Sequence, residues 1–339
     1  MTEQAARAKI AVTAPHRIRR ITLGREFGVF MALLVICVVL TLLNDRFLTT
    51  TNLLNIGRQI SLVGIMAVGM TFVLVSSEVD LSVGSTYGFC GIVLGMLMVA
   101  GYPLWVAIIA ALISGAVIGV INGLMSTYLR LPSLIATLGM LSMVRGAALI
   151  MTDGKPVTVN AKNGVDATDL AIFGFIGQGK LFGVPMQLVF FIVIAIAGWF
   201  LLSRTSFGFR TFAVGGSAKA ARVSGINVAS VKIWALTLMG VLAALAGMLS
   251  LAFLPSGQAG RMGLGLELDV IAATIVGGTS LAGGEGTILG TVLGVLIIGV
   301  LRNGLVLTGV SPFAQEFLIG LVIVVAVAID KWSTASKPA

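Results

Sequence analysis

The sequence predicts an all-α polytopic membrane protein with about ten transmembrane helices, and three observations predict it. Hydrophobic residues make up 58% of the chain and charged ones only 10%, with mean hydropathy +1.08. A soluble domain needs about 25% charged residues at its surface, so lipid is the main solvent here. Glycine is abundant at 43 residues and proline scarce at 8, which suits spanning helices that approach one another over small side chains. Finally, apolar runs of roughly 20 residues, the length that crosses a hydrocarbon core, recur along the whole chain.

In chain order the predicted spans are approximately 27–43, 60–76, 83–100, 104–125, 131–151, 186–202, 231–253, 266–281, 287–301 and 313–329. The first follows Arg17, Arg19, Arg20 and Arg25, as a secretory signal would. Its apolar run is too long for such a signal and ends in Asn44-Asp45-Arg46 without a small-residue cleavage site, so it is read as a retained span. The chain then divides into an N-terminal segment 1–26, a membrane domain 27–330 and a tail 331–339. With ten spans, about twice as many of the 22 basic residues fall on the N-terminal side as on the other. Both termini are therefore expected in the cytoplasm.

Two connections are long enough to hold structure of their own. The stretch 152–185 falls outside and is rich in Gly, Asp and Asn, as a platform for an external partner would be. The stretch 203–230 falls inside. Within it, Ser217 to Gly225 reads as a two-turn helix, with Ser217 as N-cap and Gly225 as the left-handed stop. Its alanines allow a partner surface to approach closely.

The net charge of +9 raises the question of nucleic-acid binding. The basic residues cluster between apolar runs, however, so topology explains them and no nucleic acid is expected as partner. Cys37 and Cys90 lie in apolar stretches and His16 is the only histidine; neither a disulfide nor a metal site is expected. No GxxxxGK[ST] sequence occurs, so the chain has no phosphate-cradling loop of its own. No nucleophile stands beside a base in a recognisable catalytic motif.

A weak internal repeat is present. Glu78-Val79-Asp80-Leu81 is echoed by Glu267-Leu268-Asp269-Val270, and Asn122-Gly123-Leu124 by Asn303-Gly304-Leu305; Gly139 and Gly320 follow those tripeptides at equal distance. Five spans separate the copies, so they run in opposite directions through the bilayer, the pattern of inverted repeats that flank a path. Coincidence among common residues is the competing explanation.

Charge inside lipid is costly, so Glu78, Asp80, Arg145, Glu267, Asp269, Glu285 and Glu316 each need an account. Asp80 and Asp269 fall near helix starts, where capping is the plainer role; lining a path is the sharper one. Arg145 either reaches the interface or pairs with a carboxylate such as Glu316.

Together these segments resemble the ribose-type permease family of bacterial ABC importers. The resemblance rests on Val79-Asp80-Leu81-Ser82-Val83-Gly84-Ser85, on 131–139, on Ser224-Gly225-Ile226-Asn227, and above all on 268–287, which includes Gly277-Gly278-Thr279-Ser280-Leu281-Ala282-Gly283-Gly284-Glu285-Gly286-Thr287. It departs from the family at Ser76-Ser77-Glu78, where glycines and an apolar residue are usual. The resemblance implies a permease fold of the vitamin-B12-importer type. It also implies a periplasmic sugar-binding protein, a second permease copy or paralogue, and an ABC ATPase subunit that carries the ATP and Mg; no cofactor is expected on this chain. A coupling helix is implied at Ser217, Ala218, Lys219, Ala220, Ala221, Arg222, Ser224, Gly225 and Ile226. Candidates to line the path are Asp80, Ser82, Ser85, Asn122, Thr137, Asp269 and Thr274. A branched-chain amino-acid permease and an ion-coupled secondary transporter remain the alternatives, and a membrane enzyme lacks any catalytic constellation.

Overall fold

In the computed structural model, residues 18–311 are described, with 313–315, 317–318, 320–321 and 324 beyond them. The segment 1–17, the tail 331–339 and most of the predicted span 313–329 lie outside the described residues. Among the described residues through Leu307, twelve α-helices follow in order: α1 (Ile18–Leu43), α2 (Thr50–Val75), α3 (Val83–Val99), α4 (Leu104–Thr127), α5 (Ser133–Thr152), α6 (Ala167–Gln178), α7 (Met186–Arg204), α8 (Ser206–Gly216), α9 (Ala218–Val223), α10 (Val228–Phe253), α11 (Leu266–Val276) and α12 (Ile288–Leu307). Four two-residue strands accompany them: β1 (Val157–Thr158), β2 (Lys180–Leu181), β3 (Val184–Pro185) and β4 (Ser256–Gly257).

Among the described residues, seven helices are long and apolar enough to cross a membrane: α2, α4, α5, α7, α10, α12 and the 26–43 part of α1. The protein is thus a multi-pass membrane protein. Helices α2 and α10 form its centre and are buried on most sides. α10 packs on α4, α3 and α2, while α2 also packs on α7, α12 and α11. The outer helices keep large apolar side chains exposed, among them Val35, Ile113, Ile135 and Ile196. In water that surface would be a liability; in lipid it is the solvated face.

One predicted span is much shorter than expected, and three others are clearly longer. The span expected at 266–281 is an eleven-residue helix, α11, that rises about 16 Å, roughly half of a bilayer core. It ends where Gly278 takes φ +94 and begins a glycine turn. α3, an apolar helix of 17 residues, ends within one residue of its predicted span. By contrast, α2 starts ten residues before the predicted span and α12 runs six past it, and both extensions carry polar side chains: Asn52, Asn55, Arg58 and Gln59 on α2, Arg302 and Asn303 on α12. α1 starts at Ile18, inside the segment expected to precede the membrane.

The long connection after α5 has structure of its own. β1 pairs antiparallel with β4, and β2 with β3. α6 is capped by Asp166, whose carboxylate accepts from the Thr168 and Asp169 N–H groups at 2.8 and 3.2 Å. These backbone hydrogen bonds, that from Asp169 foremost, hold its carboxyl below the usual range. Asp169 in turn accepts from the Leu104 N–H at 2.9 Å and ties α6 to the start of α4.

Candidate functional site

At one end of the bundle, α8 and α9 form the connection 205–227. The Ser217 hydroxyl accepts from the Ala220 N–H at 3.2 Å, and Gly225 at φ +81 ends the helix. Ala221 is buried against Val214, Val228 and Val231, with Ala218 and Ile226 packed beside them. Lys219, Ala220, Arg222 and Ser224 are exposed, and Val223 is 85% exposed. The alanines are therefore not equivalent: Ala221 roots the helix and Ala220 faces outward.

The base of this hairpin is locked to the core. The Ser77 hydroxyl donates toward the Gly215 and Ala282 carbonyls at 3.1 and 2.9 Å, and the Gly284 N–H donates to the Val75 carbonyl at 2.9 Å. A Cβ on Gly215 would fall 1.7 Å from that same carbonyl oxygen, so only glycine fits. Three segments thus meet at one point: the end of α2, the end of α8, and the glycine-rich turn between α11 and α12.

The stretch 78–82 between α2 and α3 is mostly buried and not helical, so its backbone groups need partners from elsewhere. The Val79 N–H donates to Ser133 Oγ at 3.1 Å and the Leu81 N–H to Thr137 Oγ1 at 3.0 Å. Asp80 Oδ1 accepts from the Ser82 N–H and Oγ at 2.8 and 2.6 Å, Asn122 Nδ2 donates to Ser82 Oγ at 2.9 Å, and Ser85 donates to the Ser82 carbonyl at 2.8 Å. Asp80 closes this turn, whereas the N-cap position of α3 belongs to Ser82. Beside it, the buried Glu78 carboxylate pairs with Lys232 and accepts from Ser126 at 2.8 Å.

Asp269 is equally unlike a cap: it is the fourth residue of α11, and Gly265 holds the N-cap position. Arg302 Nη2 donates to its two oxygens at 3.1 and 3.0 Å. Both residues line a cavity of about 650 Å³ between α2, α3, α7, α10, α11 and α12, at the end of the bundle away from α9. Asn55, Arg58, Gln59, Tyr87, Gln187 and Phe253 also line it. Arg58 lies over the Phe253 ring, 4.9 Å from its centroid, and donates to Asn55. Gln187 is buried and donates to the Gly177 carbonyl at 2.5 Å. A smaller cavity shares Asn55, Arg58 and Gln187 and extends to Thr51 and Lys180.

Of the seven candidate path residues, the structure joins Asp80, Ser82, Ser85, Asn122 and Thr137 into one buried network and places Asp269 on the cavity. Thr274 is buried within α11 and donates to the Val270 carbonyl at 2.7 Å. Asn55, Arg58, Gln59 and Arg302 were missed because hydropathy trims the polar ends of α2 and α12. Arg145 Nη2 and Glu267 Oε2 are buried and meet no hydrogen-bond partner among the described residues, while Glu316 lies outside them.

The model of the family described as branched-chain amino acid transport system / permease component matches residues 52–327. The ribose import permease protein RbsC of Escherichia coli strain K12 is 42% identical over 300 residues, which cover 88% of this chain and 92% of that protein. RbsC of Bacillus subtilis strain 168 is 41% identical, covering 95% and 98%. The L-arabinose transport system permease protein AraH of E. coli strain K12 is 34% identical, covering 92% of each. No solved structure gives a significant match. Matched along most of its length by that model and by these permeases, the chain is a transport component rather than an enzyme and belongs to the branched-chain amino acid transport system permease family.

Proposed function

We propose that this chain is the membrane permease of an ABC importer that carries a sugar and is moved by an ATPase on a separate subunit. The single observation that carries the mechanical part is the junction of Ser77, Gly215 and Gly284 at the root of α9. A push on an exposed six-residue helix reaches the membrane core only if its base is clamped, and this base is clamped to α2 and to the turn that joins α11 and α12. The sugar cargo is supported by the ribose and L-arabinose permeases named above, each aligned over nearly its whole length. The family description names branched-chain amino acids, which keeps that cargo as the second reading.

In the proposed assembly, the ATPase holds the ATP and Mg and docks on Ser217, Ala218, Lys219, Ala220, Ala221, Arg222, Ser224, Gly225 and Ile226. A second copy or paralogue pairs with this permease in the bacterial inner membrane, with both termini cytoplasmic. A periplasmic sugar-binding protein docks on the opposite end, where α6 and the strand pairs stand. The membrane domain, with its coupling loop at 203–230, belongs to the ten-helix vitamin-B12-importer type, and the sequence echoes mark its inverted halves. ATP binding closes the ATPases, α9 moves with them, and the two halves rock to open the path to the other face. The candidate path residues Asp80, Ser82, Ser85, Asn122, Thr137, Asp269 and Thr274 sit on or beside the elements that would rock.

The test is uptake of radiolabelled ribose and arabinose into liposomes holding the permease, its ATPase and its binding protein. Uptake that needs all three and ATP is the expected result. Leucine uptake without sugar uptake would establish the second reading, and uptake that ignores ATP but collapses with an ionophore would reject both.

A further inference from the structure

We infer that the cavity walled by Arg58, Gln59, Gln187, Phe253, Asp269 and Arg302 is a binding subsite on the permease itself for one neutral monosaccharide. This rests on the proposed sugar cargo and adds where, and by which groups, the sugar is held. The volume of about 650 Å³ lies within the range of roughly 300 to 1,000 Å³ found for small-molecule sites. A sugar presents hydroxyls that donate and accept, and one face of C–H groups. The wall answers both. Gln59 offers an amide that donates and accepts, Gln187 keeps a carbonyl oxygen beside its bond to Gly177, and Arg302, on a side chain that is 43% exposed, keeps N–H donors beyond those it gives to Asp269.

Arg302 and Asp269 neutralise one another at 3.0 Å; Arg58 keeps its charge, but its guanidinium is held on the Phe253 ring and on Asn55. That contact also fixes the ring, whose apolar surface suits the C–H face of a sugar. A branched-chain amino acid could meet the charged groups with its ammonium and carboxylate, but its aliphatic side chain would lie against the polar remainder of the wall and satisfy none of it, at the desolvation cost such groups incur. A metal cation would meet two guanidinium groups and one carboxylate that is already paired.

The experiment uses the full-length permease in nanodiscs, without ATPase or binding protein, and reads D-ribose binding by saturation-transfer NMR. Ribose is expected to bind weakly, and Gln59→Leu and Phe253→Leu each to weaken it by about tenfold. Thermal unfolding of the same samples identifies any variant that fails to fold, in which case the other decides. Binding unchanged in both folded variants overturns the inference, as does D-ribonate binding more tightly than ribose, which would mark an anion site. If wild-type permease binds no sugar while the complete importer still takes sugar up, this inference alone fails. If the complete importer takes up no sugar, the proposed function fails with it.

Discussion

Gly115 of α4 and Gly240 of α10 meet backbone to backbone. A Cβ on Gly240 would lie 2.1 Å from the Gly115 carbonyl oxygen, and one on Gly115 would lie 2.3 Å from that of Gly240. Gly119 and Gly123, one and two turns further along α4, also pack on the α10 backbone: a Cβ there would lie 2.3 Å from the Leu236 carbonyl oxygen and 2.7 Å from the Ile233 Cα. In lipid the apolar effect does not press helices together, so their close packing is the main attraction. Gly240→Ala is expected to force the helices apart and lower the thermal midpoint of the detergent-purified protein. Gly139→Ala, where nothing lies within 4 Å, is expected to leave it unchanged or raise it, because alanine favours helix by roughly 1 kcal/mol over glycine. Equal effects at the two sites would refute this account of the crossing.

Ser77 takes φ +60, a conformation unfavourable for residues other than glycine by roughly 1 to 2 kcal/mol. Its hydroxyl bonds contribute about 1 kcal/mol in return. Ser77→Gly removes both terms, so stability should stay close to wild type. Transmission should not: ATPase stimulation by loaded binding protein and sugar uptake are expected to fall together. A variant that transports normally would show that the hydroxyl plays no part in coupling.

Glu78 and Lys232 form an asymmetric pair. The carboxylate is 5% exposed and the lysine 20%, so the amine can reach water by itself and the carboxylate cannot. Lys232→Met is therefore expected to cost about 3 kcal/mol, the lower end of the penalty for breaking a buried pair. Glu78→Gln should cost less. The double variant should recover most of the loss, because no buried charge is then left unpaired. Thermal unfolding of all three checks the order, and additive losses would contradict it.

The sequence made the membrane legible because burial in lipid leaves long apolar runs, and the centres of α4, α5, α7 and α10 fall where those runs predict them. It failed where a polar side chain is part of a spanning helix. Asn52, Asn55, Arg58 and Gln59 on α2, and Arg302 and Asn303 on α12, look like loop residues to a hydropathy reading, yet Asn52 and Asn303 exchange amide hydrogen bonds of 3.0 and 2.9 Å inside the bundle. Those polar ends supply Asn55, Arg58, Gln59 and Arg302 to the cavity lining. The half-length of α11 was hidden for the opposite reason: residues 277–281 are apolar or small enough to extend a span, and only the left-handed Gly278 stops it. The Ser217 to Gly225 helix was readable because its cap and stop are local signals that tertiary contacts do not override.

Within that helix the two central alanines should now separate. Ala220 is exposed and Ala221 is 4% exposed, although the sequence reads both as one contact surface. Ala220→Trp adds bulk to the outward face, so the membrane bundle should unfold at the wild-type temperature while ATPase affinity falls by tenfold or more, an expected loss of about 1.4 kcal/mol. Ala221→Trp forces bulk into the cluster of Val214, Val228 and Val231, where overpacking costs about 1 to 3 kcal/mol. A six-residue helix has little intrinsic stability to oppose that, so α9 should melt and lose its protection from hydrogen exchange along with ATPase binding. Hydrogen exchange over residues 217–226 distinguishes the cases: protection retained in the Ala220 variant with ATPase affinity lost marks a contact surface. Unchanged affinity in that variant would mean that the ATPase docks elsewhere.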